Sequence, residues 1–162
     1  MIKIITTGGT FDKRYDEING ELTFKGSQLN RIVKQSRINV PVDIESILAV
    51  DSLVMTDEQR EHVVETSLLC AEDKVIIIHG TDTIVKTALI LKEKVKDKTI
   101  VLTGAMIPYS LENSDALFNL GCAISAVQLL PPGVYVTMGG NIFPADNVVK
   151  NRAIGVFEKL NK

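Results

Sequence analysis

The amino-acid sequence predicts an α/β fold built on a doubly wound, mostly parallel sheet. Short runs rich in isoleucine and valine alternate with stretches that repeat apolar residues at helical spacing. The runs contain few polar residues, which is typical of strands covered on both faces. Strands that alternate with helices are joined by right-handed crossovers, and these place helices on both faces of a parallel sheet. The 162 residues are enough for one such domain.

Each predicted element has its own signal. The strands are short and β-branched, and the helices carry an apolar residue every three or four positions. Thr56 is a residue type that caps a helix N-terminus, and the turn Pro131-Pro132-Gly133 ends the last helix. In chain order we expect a strand at 2–7, a short helix at 28–35, a strand at 43–50, a helix at 57–70, a strand at 75–79, a helix at 83–96, a strand at 100–103, a helix at 114–130 and a strand at 134–138. The segment 139–162 is interrupted by glycines and a proline, so we expect a hairpin or irregular chain there, followed by a tail.

Composition and charge exclude several classes of protein. Eighteen basic and twenty acidic residues give a net charge of -2 without a basic patch, which argues against a nucleic-acid partner. No apolar run approaches the ~20 residues that span a bilayer, and the N-terminus has no signal-peptide pattern. We therefore expect a cytoplasmic protein without a membrane partner. Cys70 and Cys122 have no zinc-site spacing, so we expect buried structural thiols and no metal.

Polar and glycine residues follow four of the predicted strands. In open α/β sheets ligands bind outside the carboxyl ends of the strands, so the segments 7–10, 51–52, 79–83 and 104–106 share one edge. Each segment alone has a simpler explanation. Gly8-Gly9 fits an ordinary turn and matches neither dinucleotide nor Walker spacing, and Asp82 or Thr83 fits a helix cap. Their occurrence together at one edge favours a binding or catalytic site.

Two of these segments resemble family signatures. Thr7-Gly8-Gly9-Thr10-Phe11 resembles the first signature of the bacterial-type L-asparaginases, and His79-Gly80-Thr81-Asp82-Thr83 resembles their second. Asp51-Ser52, followed by Met55-Thr56, is similar to their substrate-binding loop. Gly104-Ala105-Met106 and the run 113–120 fit the same family. The five blocks stand in the family's order along essentially the whole chain.

The resemblance implies a reaction and a role for each site residue. It implies hydrolysis of L-asparagine to L-aspartate and ammonia, with glutamine as a side substrate and no cofactor. A threonine hydroxyl needs a nearby base to act as a nucleophile, and a desolvated lysine can serve as one. The implied catalytic residues are the nucleophile Thr10 and the array of Thr81, Asp82 and Lys150, and the implied substrate-binding residues are Asp51, Ser52, Thr81 and Asp82. Considered alone, Lys150 also fits an ordinary solvated surface lysine.

The sequence departs from the family pattern in two respects. The family's lid tyrosine aligns near Leu22, which has no hydroxyl, and Tyr15 is the candidate replacement. Family chains continue into a C-terminal domain, so residues 1–162 are expected to be a short form with only the N-terminal catalytic domain. We expect such a form to associate as a homo-oligomer, since a neighbouring subunit normally completes the site.

Two other functions remain open on the sequence alone. The chain fits a non-catalytic domain that binds an amino acid or regulates another protein, because the lid tyrosine and the second domain are missing. It also fits an amidase component of a tRNA-dependent amidotransferase, which requires a protein partner.

Overall fold

A six-stranded sheet with helices on both faces organises residues 1–160, the part of the chain that the computed structural model describes. Residues 161 and 162 of the expected tail lie outside this range. In chain order the elements are β1 (Ile2–Gly8), a 3-10 turn (Thr10–Asp12), β2 (Lys13–Asp16), β3 (Glu21–Phe24), α1 (Leu29–Gln35), β4 (Val42–Val50), α2 (Asp57–Leu69), β5 (Lys74–Ile78), α3 (Ile84–Lys94), β6 (Thr99–Thr103), α4 (Ala116–Leu129), β7 (Gly133–Met138), β8 (Asn141–Pro144), β9 (Val149–Asn151) and β10 (Val156–Glu158).

The sheet has the strand order β4-β1-β5-β6-β7-β8, and all neighbours are parallel except β7 and β8. The predicted α/β class with a mostly parallel sheet is therefore confirmed. Successive residues of the central strands point to opposite faces. Ile4 and Ile76 pack with helices α1 and α4, whereas Ile5 and Ile77 pack with α2 and α3. Both faces are consequently covered by apolar side chains.

Strand β4 differs from the expectation that every strand is covered on both faces. It is the edge strand next to β1, and its residues are either partly buried or exposed, none of them fully buried. Its acidic side chains Asp43 and Glu45 both pair with the Nζ of Lys3, at 2.6 and 2.7 Å. These two ion pairs raise the pKa of Lys3 above its usual range. Charged residues at an edge strand also discourage pairing with another chain.

Two short hairpins lie outside the main sheet. β2 and β3 form one, in a segment for which the sequence predicted no strands. β9 and β10 form the other, within the segment expected to be irregular or a hairpin. Phe157 of β10 is buried in the same cluster as the α2–α3 side of the sheet and fastens this hairpin to the core.

The cap of α2, the two cysteines and the lengths of the helices can each be compared with the sequence predictions. Thr56 caps α2, as predicted, in a capping box: its hydroxyl accepts from the Gln59 N–H, and the Gln59 side chain accepts from the Thr56 N–H. Cys70 and Cys122 are free, but each is partly rather than fully buried. No helix among residues 1–160 has the length and apolar content required to cross a membrane.

Candidate active site

The loops at the carboxyl edge of the sheet contact one another through glycines. A Cβ atom on Gly9 would lie 2.5 Å from the backbone nitrogen of Gly80, and Gly9 also has a φ of +70°. A Cβ atom on Gly80 would lie 2.5 Å from the Oγ of Ser52. Real Cβ atoms do not approach that closely, so only glycine allows the loops after β1, β4 and β5 to pack together here. Thr10 and Thr81 each follow directly after one of the two touching glycines.

A hydroxyl, an ammonium group and a carboxylate meet at this edge. The Nζ of Lys150 donates to the Oγ1 of Thr81 at 2.8 Å and to the Oδ1 of Asp82 at 2.9 Å. Thr81 is 5% exposed and the side chain of Lys150 is 10% exposed, so the contact is largely shielded from water. The Thr81 hydroxyl itself donates to the sulfur of Met106, a weak acceptor, at an Oγ1–Sδ distance of 3.6 Å. The three residues that the resemblance grouped are therefore in direct contact.

Lys150 reaches this position from the hairpin β9–β10. It pairs with Phe157, the residue that anchors the hairpin in the core. Arg152 lies on the same side and donates to the backbone carbonyl of Asp82 at 3.1 Å. The hairpin thus brings a second cation close to Asp82, and the sequence analysis did not identify it.

Ser52, in the loop after β4, is bonded to Thr83, in the loop after β5. It is 1% exposed, and its Oγ accepts from the backbone N–H of Thr83 at 3.3 Å. The Thr83 hydroxyl donates in turn to the Ser52 carbonyl at 2.9 Å. Thr83 stands at the N-cap position of α3 but makes no side-chain capping bond. The simpler interpretation of its hydroxyl as a helix cap is therefore wrong, because that hydroxyl ties two loops of the edge together.

Asp51 is occupied by contacts within the protein. Its Oδ2 pairs with the Nζ of Lys13 at 2.6 Å, and its Oδ1 accepts from the Leu53 N–H at 3.0 Å. These two bonds, the Lys13 bond first, hold the pKa of the Asp51 carboxyl below its usual range. This ion pair fastens the hairpin β2–β3 to the loop after β4. A substrate-binding role for Asp51 stays a prediction.

The turn that carries Thr10 is supported by a buried carboxylate. Thr10 is partly buried, and its hydroxyl has no hydrogen-bond partner within residues 1–160. Two residues later, Asp12 is 3% exposed and accepts from the Thr6 hydroxyl at 2.7 Å and from the Gln28 N–H at 3.0 Å. Asp12 thus fixes the turn while leaving the Thr10 hydroxyl available to a ligand. An acidic residue so close to a buried strand was the signal in the sequence that could have indicated this support.

A buried chain of polar groups lies beneath the loop after β5. The Nδ1 of His79 is 2.8 Å from the Gly80 carbonyl oxygen and donates to it, so the Nε2 accepts from the Thr87 hydroxyl at 2.9 Å. The Thr87 hydroxyl accepts in turn from Arg60 at 2.8 Å, and Arg60 also donates to Thr83 at 3.1 Å. His79 is fully buried, and burial lowers its pKa from 6.5 to about 4. Of these groups, the sequence analysis considered Thr83 as a helix cap and His79 only as part of the second signature, and it gave Arg60 and Thr87 no role.

The loop after β6 is fixed by residues of α4 and its N-cap. Asp115 accepts from the N–H groups of Met106 and Ile107, at 3.0 and 2.9 Å. Asn119 donates to the Gly104 carbonyl at 3.0 Å and accepts from the Gly139 N–H at 3.1 Å. Asn119 thereby joins the ends of β6 and β7, and Asp115 holds Met106 against Thr81.

The candidate lid residues lie on the first hairpin. Tyr15 and Leu22 are directly paired across β2 and β3, so the two residues considered for the lid occupy the same level of one hairpin. Tyr15 is 55% exposed and lines a cleft with Arg14 and Tyr109. Its hydroxyl has no hydrogen-bond partner in the described chain, and its use as a lid stays a prediction.

The fold and this edge define an α/β domain with a hydroxyl–lysine–carboxylate cluster at the carboxyl ends of parallel strands. The chain belongs to the asparaginase family, since residues 1–158 match the family model described as "Asparaginase, N-terminal". The expectation from the sequence signatures is thus confirmed.

Individual relatives carry two kinds of name. The L-asparaginase of Thermococcus kodakarensis is 27% identical over 165 residues, which cover 98% of this chain and 50% of that protein. A glutamyl-tRNA(Gln) amidotransferase subunit of Methanococcus vannielii is 32% identical over 165 residues, which cover 96% of this chain and 37% of that protein. The chain therefore spans half or less of the length of these relatives.

Solved structures show the same likeness. The thermostable L-asparaginase of Thermococcus kodakarensis superposes with a TM-score of 0.87 at 26% identity, over 99% of this chain and 51% of that one. A probable cytoplasmic L-asparaginase of Campylobacter jejuni gives a TM-score of 0.81 at 30% identity, over 99% of this chain and 53% of that one.

The buried histidine makes stability depend on pH. Because the pKa of His79 is about 4 in the folded chain and about 6.5 when exposed, the unfolded state binds more protons between these values. We expect neutral His79 to contribute its full stabilisation above pH 6.5. As the pH drops to 4, the free energy of unfolding should fall by up to roughly 3 kcal/mol. Urea titrations from pH 7.5 to 4 measure this change.

The two histidines of the chain provide a matched comparison. In His79→Gln the loss between pH 6.5 and 4 should shrink, whereas in His62→Gln, a change at an exposed position of α2, it should persist. An unchanged slope in His79→Gln would assign the pH dependence to other groups.

Proposed function

We propose that the chain is an amidohydrolase that converts L-asparagine to L-aspartate and ammonia, with glutamine as a secondary substrate. The observation that carries this proposal is the contact of the Lys150 amine with both the Thr81 hydroxyl and the Asp82 carboxylate. A shielded hydroxyl beside an amine and a carboxylate is suited to proton transfer in acyl transfer chemistry. Family membership and relatives named L-asparaginase and glutaminase-asparaginase support the choice of substrate.

In the proposed first step the Thr10 oxygen attacks the carbon of the side-chain amide. The Thr10 proton passes to the amide nitrogen, and the carbon–nitrogen bond breaks. Ammonia departs, and the acyl group stays on the Thr10 oxygen as an ester. Backbone N–H groups of the glycine-flanked loops are suited to stabilise the oxyanion that forms during attack. The Thr10 hydroxyl has no competing partner in the described chain, which leaves it available for this attack.

In the proposed second step water cleaves the ester. Lys150 first releases one ammonium proton to solvent. Its neutral amine then takes the Thr81 hydroxyl proton while the Thr81 oxygen takes one proton from the attacking water, the ester bond breaks, and the proton on Lys150 passes to the Thr10 oxygen as aspartate leaves. The Thr81 proton rests against the weak acceptor Met106, so a ligand oxygen or water can replace that contact at little cost. Asp82 keeps the Lys150 amine in place during this transfer.

The groups around the cluster suit a small amino acid. The Oδ1 of Asp82 accepts a hydrogen bond from Lys150, which leaves the Oδ2 for the α-amino group of a substrate. Ser52 lies beside Gly80 and is our choice for the α-carboxylate. Asparagine and glutamine differ by one methylene, which is worth only about 1–3 kcal/mol in a pocket, so both are retained as substrates.

A second candidate function is that of an amidase component that supplies ammonia to a tRNA-dependent amidotransferase. The 32% identity to a glutamyl-tRNA(Gln) amidotransferase subunit over nearly the whole chain supports it. The two functions differ in what the isolated chain does. An asparaginase releases ammonia from free asparagine alone, whereas an amidotransferase component requires its partner. The non-catalytic alternative predicts asparagine binding without ammonia release.

We also propose that the protein is cytoplasmic and forms a homo-oligomer. A structural neighbour is named a probable cytoplasmic L-asparaginase. The exposed apolar side chains of α4 and of the edge strand β8 form a continuous patch that suits self-association: Leu117, Phe118, Leu129 and Ile142.

Removal of either threonine hydroxyl should abolish most turnover. In Thr10→Ala the nucleophile is absent, and in Thr81→Ala the proton carrier is absent, so we expect ammonia release from asparagine to fall at least about a hundredfold in each. A coupled ammonia assay, with circular dichroism to verify folding, measures this. Thr66→Ala on α2 is the matched control and should retain the activity, since that hydroxyl bonds only the His62 carbonyl of its own helix. Near-normal turnover in either test variant would disprove the assigned role.

Loss of the Lys150 amine should reduce turnover more than binding. In Lys150→Met the chain retains Ser52 and Asp82 for the substrate but loses the amine, so kcat should fall at least about a hundredfold while the asparagine Kd changes less than about tenfold. Steady-state kinetics and calorimetry separate the two quantities. Lys86→Met, which removes an exposed amine paired with Asp57, is the control. Equal losses in kcat and affinity would indicate a lysine that only holds substrate.

The self-association proposal has a paired test. Leu129 and Leu69 are both 85% exposed at the end of a helix, but only Leu129 belongs to the α4–β8 patch. We expect multi-angle light scattering to give a multiple of 17.8 kDa for the wild type and for Leu69→Glu, and a smaller mass for Leu129→Glu. A monomeric wild type, or an unchanged mass in Leu129→Glu, would rule out this interface.

A further inference from the structure

A second concave site lies between the hairpin β2–β3, helix α1 and the loop that precedes α4. It is a cleft of about 570 Å³, a volume typical of small-molecule sites. None of Thr10, Ser52, Thr81, Asp82 and Lys150 lines it, although the candidate lid residue Tyr15 does. Its lining residues include Arg14, Tyr15, Gln28, Arg31, Tyr109 and Leu117.

The cleft is positively charged within a chain of net negative charge. Arg14 and Arg31 both line it, and no acidic residue of the described chain does. Neither guanidinium forms an ion pair within residues 1–160, whereas Lys3, Lys13 and Lys150 each pair with a carboxylate. Arg31 lies over the ring of Tyr109, 5.8 Å from its centre, and this contact orients its guanidinium group beside the cleft.

Two donors at the cleft lack acceptors. Gln28 is 3% exposed, and within residues 1–160 its amide nitrogen and the Nε of Arg14 are buried without a hydrogen-bond partner. Two atoms that do not line the cleft, the Thr23 Oγ1 and the Arg60 Nε, lack a hydrogen-bond partner in the same way. Because the Gln28 and Arg14 nitrogens have almost no exposed surface, a ligand in the cleft bonds them only when these side chains turn toward it.

We propose that this cleft binds a small organic anion through its carboxylate or phosphate group. Guanidinium groups bind both kinds of oxyanion with paired, charge-assisted hydrogen bonds. The rings of Tyr15 and Tyr109 and the side chains of Leu111 and Leu117 provide an apolar wall for the remainder of the molecule. The inference concerns binding only and does not depend on the proposed hydrolysis.

The cleft is connected to the turn that carries Thr10. The N–H of Tyr109 donates to the Phe11 carbonyl at 3.3 Å, and the N–H of Gln28 donates to the Asp12 carboxylate at 3.0 Å. The Ser110 hydroxyl donates to the Lys13 carbonyl at 2.8 Å. A bound anion therefore contacts residues on both sides of that turn, and it stabilises the hairpin β2–β3 against α1.

Isothermal titration calorimetry on the full chain tests the proposal. The probes are succinate, inorganic phosphate and adenosine monophosphate, each titrated to millimolar concentration into the wild type, Arg14→Gln, Arg31→Gln and Lys34→Gln. Lys34 lies on α1 one turn from Arg31 but does not line the cleft, so its variant removes the same charge from the same helix. Titration into Ser52→Ala, which removes the hydroxyl proposed to bind the substrate α-carboxylate, distinguishes this cleft from the candidate active site.

We expect saturable one-to-one binding of at least one probe. The Kd should rise about tenfold or more in each arginine variant and less than twofold in Lys34→Gln and Ser52→Ala. Binding of succinate alone identifies a carboxylate ligand, and binding of the phosphate-bearing probes alone identifies a phosphate ligand. If Arg14→Gln fails to fold, Arg31→Gln, at an exposed position, decides the matter.

Three results would overturn the proposal. The first is that no probe binds saturably. The second is that binding is unaffected by both arginine substitutions. The third is that Lys34→Gln or Ser52→Ala weakens binding as much as the arginine variants do, which would indicate general charge attraction or binding at the other site.

Discussion

The candidate site depends on the close approach of three backbone loops at one edge of the sheet. Gly9 packs on Gly80, and Gly80 packs on Ser52, at distances that leave no room for a Cβ atom. The parallel strands bring the loops to the same edge, but only the glycines allow them to touch. Thr10 and Thr81 follow directly after the two glycines, so this contact determines how close the two hydroxyl-bearing segments are. Lys150 then reaches Thr81 from the separate hairpin β9–β10.

The loops remain in place because buried polar groups beneath them bond to one another. His79 donates to the Gly80 carbonyl and accepts from Thr87, and Arg60 donates to both Thr87 and Thr83. Each of these groups lies away from water, where a missing partner is costly. The network therefore favours one arrangement of the loop after β5 and requires His79 to be neutral. That requirement couples the geometry of the site to the folding equilibrium.

Much of the fold could be predicted from the sequence, because β-branched runs and apolar helical spacing report burial directly. The hairpin β2–β3 was missed, since its strands are four residues long and partly exposed and give no clear apolar alternation. The signatures led to Thr10, Thr81 and Asp82, and Lys150 followed from its spacing in the family pattern. His79 and Arg152 act through contacts that no pattern along a single chain indicates, whereas Asp12 had a signal in its position beside a buried strand.

The polar groups around the Thr10 turn divide into those with partners and those without. Asp12, Asp51 and Ser52 all bond to other parts of the protein, and they hold loops together. The Thr10 hydroxyl at the sheet edge and the Gln28 amide nitrogen at the cleft have none within residues 1–160. Folding normally pairs its buried polar groups, so the unpaired Thr10 hydroxyl supports the proposed ligand site at the sheet edge. The cleft proposed as a second ligand site adjoins the same turn, since the Tyr109 N–H donates to the Phe11 carbonyl. Asp12 connects the two sites because it supports that turn and accepts from the Gln28 backbone.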